Sequence, residues 1–346
     1  MNTDNVLKST SSMSGRNSIL ELFRFFLIYG VCVLHLLYYG VGLIGLGRTD
    51  VQASYENLLL MVIVLPAVNC FMLISGYFGI RLNMKKLFVM LTQCWMVYAA
   101  TMVLRYGVGL FGGGNFHIAD LIHIFPVSTK VWWFMTEYIT IMLLSPIINE
   151  GLSRLNRCTF LVVLIGLGFV SSIGLYVSLN HTGSDLLGML FIYLLGRYMR
   201  QEGAEQSRRS AMLIWMASSI LLYACAIALW KLNLLKAEYV LFHYCNPLII
   251  AQSIGIFSFA LSFKPISNKC FNWLGRHCLT IYLFTEITNF YFYQLWASIY
   301  QEYSLLICLF AILVSCLAIM SVDILILHAS VIIGNKVAGM KSLKNL

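Results

Sequence analysis

The sequence predicts an all-α, polytopic integral membrane protein with about ten transmembrane helices and with both termini in the cytoplasm. Of its 346 residues, 60% are hydrophobic and only 11% are charged, whereas about a quarter of a soluble domain is charged. Apolar runs of about twenty residues recur from end to end, and each is long enough to cross a bilayer. Basic residues collect between alternate runs, which is how membrane helices are oriented.

The predicted spans follow one another with short connections. They cover about 19–41, 57–80, 86–111, 131–149, 159–179, 184–201, 210–230, 239–262, 278–298 and 304–328. With the N-terminus in the cytoplasm, 18 of the 23 Lys and Arg residues lie on the cytoplasmic side and five lie outside. A different number of spans would scramble this bias, so the positive-inside rule supports ten.

The chain is therefore expected to be one membrane domain, residues 19–330, between a cytoplasmic N-terminal tail, 1–18, and a cytoplasmic C-terminal tail, 331–346. The net charge of +9 is mostly an orientation signal, and it also favours contact with anionic lipid headgroups. Membrane lipids are thus expected partners, and nucleic acid is not.

The first span carries two polar groups, Arg24 and His35, in the stretch "ELFRFFLIYGVCVLHLLYY". Eleven residues at about 100° each return to nearly the same helix face, with a rise of about 16 Å. Taken singly, Arg24 can reach the headgroups and His35 can bond a neighbouring helix. Their shared face instead favours one passage, with an anion-binding group near the cytoplasm and a titratable base nearer the outside.

The second span ends in "NCFMLISGYFGIR". Its Ser75-Gly76 pair permits a close approach of another helix or a bend. Arg81 lies in a basic cluster with Lys85 and Lys86. Orientation alone accounts for this cluster, and phosphate binding is an added possibility.

Three further spans carry buried acidic residues, which are expensive in a membrane and usually face the bundle interior. Glu137, in "KVWWFMTEYITIMLLSPIIN", lies one helical turn beyond Trp133 and near the outer surface, where a structural role and a site role are equally supported. Glu286 is near mid-depth and needs a cation or a hydrated cavity. Asp323 and His328 near the end of the last span favour structural or interfacial roles.

The ten cysteines lie mostly alone within apolar runs, without a CxxC pair or a zinc-type Cys/His spacing. No metal site is therefore expected. The sequence also contains no P-loop, no GxSxG nucleophile elbow and no HExxH motif.

Four stretches in this order resemble the bacterial acyltransferase-3 family of membrane acyltransferases. They are "ILELFRFFLIYGVCVLH", "LPAVNCFMLISGYFGIR", "WWFMTEYITIMLLSPIIN" and "WLGRHCLTIYLFTE". The first keeps the family's spacing between Arg24 and His35. In the last, Thr285 stands where the family usually has His, and Glu286 holds the acidic position that often follows.

The resemblance implies an O-acetyltransferase of the bacterial cytoplasmic (inner) membrane. Acetyl-CoA, or another short acyl-CoA, is the implied co-substrate, and no bound cofactor is implied. The implied acceptor is a hydroxyl of a cell-surface polysaccharide or of a lipid-linked oligosaccharide. His35 is the implied base or acyl carrier, oriented by Glu137 or Glu286. The implied substrate-binding residues are Arg24, Arg81, Ser75, Trp133, Tyr138 and Asn149.

A transporter or a lipid-linked-glycan flippase is the main alternative, because charged residues within spans also serve pumps. Such a protein should spread polar groups over many helices and often shows repeat symmetry and paired broken helices. The sequence contains neither a visible repeat nor many prolines, of which there are five. Transfer of an acyl group from CoA separates the two classes.

Overall fold

The structure, a computed structural model, describes residues 17–43, 53–107, 125–174, 183–201, 207–232, 241–287 and 291–338. These residues form helices and connecting segments and contain no β-strand. The all-α prediction is therefore confirmed for the part of the chain that the structure describes.

Thirteen α-helices are present in the described ranges. They are α1 Ser18–His35, α2 Tyr55–Val64, α3 Ala67–Phe78, α4 Met84–Met102, α5 Trp133–Arg154, α6 Arg157–Phe169, α7 Leu186–Gln201, α8 Arg208–Lys231, α9 Pro247–Leu261, α10 Lys269–Arg276, α11 Cys278–Ile287, α12 Tyr291–Glu302 and α13 Leu305–Ala338. Short π-helical turns extend α1, α4 and α6 at their C-terminal ends.

Five helical stretches are long and apolar enough to cross a membrane. They are Ser18–Gly40, Tyr55–Phe78, Met84–Tyr106, Arg208–Lys231 and Leu305–Ile333. The outward faces of α8 and α13 expose large apolar side chains, such as Leu213, Leu306 and Leu325, and a continuous exposed apolar face is suited to lipid. The fold is thus that of a membrane protein.

Several of the predicted spans contain shorter or interrupted helices. The predicted span 57–80 is divided between α2 and α3 at Leu65 and Pro66, because proline cannot donate the backbone hydrogen bond of a continuous helix. The span predicted at 278–298 is divided between α11 and α12. In the span predicted at 239–262, the helix α9 begins only at Pro247.

Many helices begin at a polar side chain that accepts a hydrogen bond from the first helical turn, which satisfies an otherwise unpaired backbone N–H. These caps are Asn17, Ser54, Asn83, Asn156, Ser207, Asn246 and Asn268. Sequence-local chemistry therefore sets where these helices start.

Helix α1 lies inside the bundle, where it packs against α2, α3, α9, α10, α11 and α13. Near its N-terminal end, Gly275 of α10 packs so closely on α1 that an added Cβ would lie 2.1 Å from Glu21 Oε2. Polar side chains on α1 therefore face other helices rather than lipid, which is the placement that buried polar groups in a membrane require.

Helices α3 and α7 touch through their backbones at Gly76 and Gly196. A Cβ built on Gly76 would lie 2.1 Å from the carbonyl oxygen of Tyr193, and one on Gly196 would lie 2.4 Å from that of Leu73. Small residues permit this approach in membrane bundles. The close approach predicted for the Ser75-Gly76 pair is confirmed.

We expect Gly76→Ala to lower the free energy of unfolding by about 1–3 kcal/mol, because the added methyl group forces two helix backbones apart. The midpoint of thermal unfolding in nanodiscs measures this loss. Gly166→Ala in α6 is the matched control, since no atom lies within 4 Å of the position its Cβ would take. Equal midpoints for the two variants would contradict the role assigned to the α3–α7 contact.

Candidate active site

A cavity of about 390 Å³ lies beside α1 and reaches α3, α5 and α11. It is lined mainly by apolar and aromatic side chains, with a few polar groups among them, as in most small-molecule sites. Six residues singled out from the sequence line it: Arg24, His35, Ser75, Trp133, Tyr138 and Glu286.

His35 and Glu286 form the central polar pair of this cavity. His35 Nε2 lies 2.9 Å from Glu286 Oε2, which is within reach of a hydrogen bond, and the two side chains are only 10% and 8% exposed. His35 is the last residue of α1, and Glu286 lies near the end of α11. The carboxylate beside the imidazole is therefore Glu286.

Arg24 lines the same cavity from the N-terminal part of α1. Its guanidinium lies 3.6 Å from Glu21 Oε2 and its side chain is 37% exposed. Its Nε is buried and has no hydrogen-bond partner among the described residues. A cation with unused donor capacity thus stands about 16 Å along the helix from His35.

Ser75, Trp133 and Tyr138 complete the group of predicted residues at the cavity. The Ser75 hydroxyl donates to the carbonyl oxygen of Phe71, 2.9 Å away, so it is bonded within its own helix. The ring of Trp133 stacks on that of Tyr244, with ring centres 5.7 Å apart and planes inclined by 26°. These side chains shape the wall of the cavity.

Three predicted site residues do not line the cavity. Glu137 forms an ion pair with Lys130, with Oε1 and Nζ 3.0 Å apart, and its side chain is 3% exposed. Arg81 is exposed beyond the end of α3, and Asn149 donates to the carbonyl oxygen of Ile80, 2.9 Å away. Glu137 therefore has a structural partner that accounts for its burial.

Thr285, which stands where the resembling family usually has His, packs away from the cavity. Its hydroxyl donates to the carbonyl oxygen of Ile281, 2.8 Å away, and it meets Cys32 of α1. The cavity-facing residue of this pair is its neighbour, Glu286.

The structure adds cavity residues that the sequence did not single out: Tyr38, Tyr39, His243, Tyr244 and Tyr282. In such an apolar chain, the sequence around a tyrosine does not distinguish a cavity residue from an ordinary core or interface residue. His243 lies in the stretch "VLFHYCNP", where the Asn246-Pro247 pair marks a helix start and is the only local signal.

A second buried polar cluster lies outside the cavity around Asp323, which is fully buried. Its carboxylate accepts hydrogen bonds from Thr280 and pairs with His277 Nδ1 at the junction of α10 and α11. Gln93 of α4 donates to Thr280 Oγ1, 2.6 Å away. The structural role predicted for Asp323 thus has specific partners, which join α11 to α4 and α13.

No group of three His, Cys, Asp or Glu side chains suited to a metal ion occurs among the described residues. The ten cysteines are all free thiols. Among the predicted site residues that line the cavity, the titratable or charged groups other than the Tyr138 phenol are the His35 imidazole, the Glu286 carboxylate and the Arg24 guanidinium.

A family model described as an acyltransferase domain, of the acyltransferase-3 type, matches residues 17–322. Comparisons with curated proteins and with solved structures gave no match. The matched region contains the whole cavity and every predicted site residue.

Proposed function

The chain belongs to the acyltransferase-3 family of membrane proteins, and from that premise we propose that it is an O-acetyltransferase acting on an extracytoplasmic glycan. The donor is acetyl-CoA in the cytoplasm, and the acceptor is a hydroxyl of a cell-surface or lipid-linked polysaccharide. The observation that carries the proposal is the His35–Glu286 pair in a cavity whose wall also contains Arg24.

The proposed setting is the bacterial cytoplasmic membrane. The chain crosses it ten times, with residues 1–18 and 331–346 as cytoplasmic tails around one membrane domain, 19–330. The distribution of basic residues supports this topology. It places Arg24 toward the cytoplasm and His35 toward the outer surface.

In this mechanism Arg24 binds the donor. Coenzyme A carries several phosphate charges, and a guanidinium binds phosphate through paired, charge-assisted hydrogen bonds. The donor's thioester arm extends along the apolar cavity toward His35, while exposed Arg81 adds positive charge at the cytoplasmic entrance. Short acyl groups other than acetyl fit the same chemistry.

His35 then acts as the general base. An imidazole whose Nε2–H is donated to Glu286 has an unprotonated Nδ1, which can accept a proton. The acceptor hydroxyl gives its proton to His35, and its oxygen forms a bond to the thioester carbonyl carbon. The C–S bond breaks, and the leaving CoA thiolate takes the proton from His35. The products are an O-acetyl ester and free CoA.

Transfer of radiolabelled acetyl tests the function directly. Membranes that contain the chain and its native glycan should incorporate label from acetyl-CoA into the glycan, and membranes without the chain should not. Labelled glycan excludes a transporter or flippase as the sole activity. Absence of label with acetyl-CoA and with other short acyl-CoA donors would refute the proposal.

We expect Glu286→Gln to lower the transfer rate by about 10²-fold or more, because the amide cannot hold the imidazole as a carboxylate does. Glu137→Gln should keep the rate within about threefold of wild type, since the partner of Glu137 is Lys130 and not His35. Initial rates at saturating acetyl-CoA measure both variants. The reverse order of effects would transfer the orienting role to Glu137.

We expect Arg24→Ala to raise the KM for acetyl-CoA by about 10- to 100-fold, which is the loss of about 1.5–3 kcal/mol from hydrogen bonds to a charged group. Arg154→Ala is the matched control, because its exposed ion pair with Glu150 lies within a single helix and away from the cavity. An unchanged KM for acetyl-CoA in Arg24→Ala would remove Arg24 from the donor site.

A further inference from the structure

Residues 242–246 form an irregular backbone segment just before α9, inside the membrane span predicted at 239–262. At membrane depth, non-helical backbone is tolerated only where it is buried in protein or lines a cavity. This segment does both, and three consecutive residues, Phe242, His243 and Tyr244, line the same cavity as His35. These three consecutive residues therefore form a continuous wall for a ligand in the cavity that also contains His35.

Two side chains from other parts of the fold and one backbone N–H of its own hold this segment. Its carbonyl oxygens accept hydrogen bonds from Asn69 Nδ2 at Tyr244 (2.7 Å), from Ser172 Oγ at Cys245 (2.6 Å) and from the Asn246 backbone at His243 (2.8 Å). Backbone groups in such a turn are costly unless they are bonded. The segment is thus fixed before any ligand binds, which is the requirement for selective recognition.

A further hydrogen bond within the segment fixes the tautomer of the neutral His243 ring. The backbone N–H of Cys245 donates to His243 Nδ1, 3.0 Å away. Since Nδ1 is the acceptor, the proton of the neutral ring is on Nε2. Gly183 packs on the same edge of the ring, where its Cβ would lie 2.8 Å from Cε1 and 3.0 Å from Nδ1. His243 is therefore a hydrogen-bond donor through Nε2 and cannot act as a second base.

The neighbouring wall is aromatic. Tyr244 stacks on Trp133, and the hydroxylated rings of Tyr38 and Tyr39 line the cavity near His35. Such side chains combine an apolar face with a polar edge. A sugar ring has the complementary character, because its C–H faces are apolar and its rim carries hydroxyl groups.

We infer that Phe242, His243 and Tyr244, together with Trp133, form the acceptor subsite and bind a sugar ring, with His243 Nε2–H donating to one of its oxygens. This inference rests on the proposed function. It also accounts for the position of the segment: His243 and Tyr244 share the cavity with His35, whereas Arg24, the proposed donor group, stands about 16 Å away along α1. The sugar is thus held beside the imidazole and away from the CoA phosphates.

Two variants of His243 isolate the contribution of its Nε2–H hydrogen-bond donor. His243→Gln and His243→Phe both remove the acceptor of the Cys245 N–H, but only the glutamine retains an N–H close to the Nε2 position. His328→Phe is a matched histidine control, because His328 is exposed near the end of α13 and does not line the cavity. A stability cost shared by the first two variants therefore cancels in their comparison.

The assay uses the full chain in nanodiscs, [¹⁴C]acetyl-CoA, and dodecyl glucoside, galactoside, mannoside and N-acetylglucosaminide as acceptor probes. We expect the wild type to acetylate at least one of these glycosides. His243→Phe should raise the KM for that glycoside by about tenfold and leave the KM for acetyl-CoA within twofold, since one neutral hydrogen bond to the acceptor is lost. His243→Gln should recover most of the affinity, and His328→Phe should match the wild type.

Three outcomes would overturn the inference. Equal acceptor KM values for His243→Phe and His243→Gln would show that the N–H group does not bind the acceptor. A wild type that hydrolyses acetyl-CoA but acetylates none of the glycosides would exclude a sugar subsite while retaining the proposed donor chemistry. A wild type that neither hydrolyses acetyl-CoA nor transfers acetyl would refute the proposed function, and the subsite with it.

Discussion

Membranes that carry His35→Ala should transfer acetyl about 10³-fold more slowly than membranes with the wild type, at equal amounts of folded protein. General-base catalysis by a positioned side chain contributes about 10²- to 10⁴-fold, and His35 is the imidazole that lies beside Glu286. Incorporation of labelled acetyl at saturating acetyl-CoA measures the loss. The KM for acetyl-CoA should change little, because donor binding is assigned to Arg24.

His35→Gln separates chemistry from packing in this experiment. Glutamine keeps much of the volume and can still meet Glu286, but it cannot take a proton at neutral pH. It should therefore be as inactive as the alanine variant. Full activity in either folded variant would remove His35 from the chemistry and leave Glu286 as the remaining base in the cavity.

Asp323→Ala should lower the free energy of unfolding by about 3 kcal/mol, because two buried polar groups lose their partner at a cost of about 1–3 kcal/mol each. The substitution leaves His277 and Thr280 without the carboxylate that both of them contact. The midpoint of thermal unfolding in nanodiscs, together with the yield of folded protein, reports the loss.

Asp323→Asn should lose less stability, since its amide oxygen can still accept a hydrogen bond from Thr280. Ser321→Ala is the control in the same helix, because Ser321 is exposed and its hydroxyl donates only to Leu317 of its own helix. If Asp323→Ala unfolded at the same midpoint as Ser321→Ala, the cluster around Asp323 would have no part in holding α11 in place.

The sequence predicted the helical class and the first functional helix well, because both depend on local regularity. The spacing between Arg24 and His35 predicts a shared face in any α-helix, and both residues line one cavity. Composition and apolar run length likewise predict membrane helices without knowledge of their neighbours.

The choice between Glu137 and Glu286 could not be made in the same way. Their depth in the membrane is a local property, but their partners are not: Lys130 precedes Glu137 in the connection before α5, whereas His35 is brought to Glu286 by the packing of α1 on α11. A single sequence contains no periodic signal for such a long-range pairing. The same reason explains why the sequence did not single out Tyr38, Tyr39, Tyr244, Tyr282 and His243 as cavity residues.

Some of the breaks between helices could be predicted from the sequence. Pro66 divides the second predicted span, and Asn246-Pro247 starts α9, as the conformational restriction of proline requires. The other breaks lie inside apolar runs that are longer than the helices, so the sequence gives no local signal for them. The irregular segment 242–246 contains His243 and Asn246 and is more polar than α9, but the sequence alone does not show that Asn69 and Ser172 hold it as a non-helical turn.

The distance between Arg24 and His35 has an electrical consequence. In the proposed reaction the anionic part of the donor stays at Arg24, while an acyl group moves outward and the hydroxyl proton moves inward through His35 to the thiolate. The C–S bond leaves its electrons on sulfur, so the acyl group counts as one positive charge moving outward, and the proton is one positive charge moving inward. A single uncompensated charge would exchange about 2.3 kcal/mol with a membrane potential of 100 mV, so this exchange is electroneutral. We therefore expect the proposed transfer to be driven by the thioester alone and to proceed at the same rate in energised and de-energised membranes.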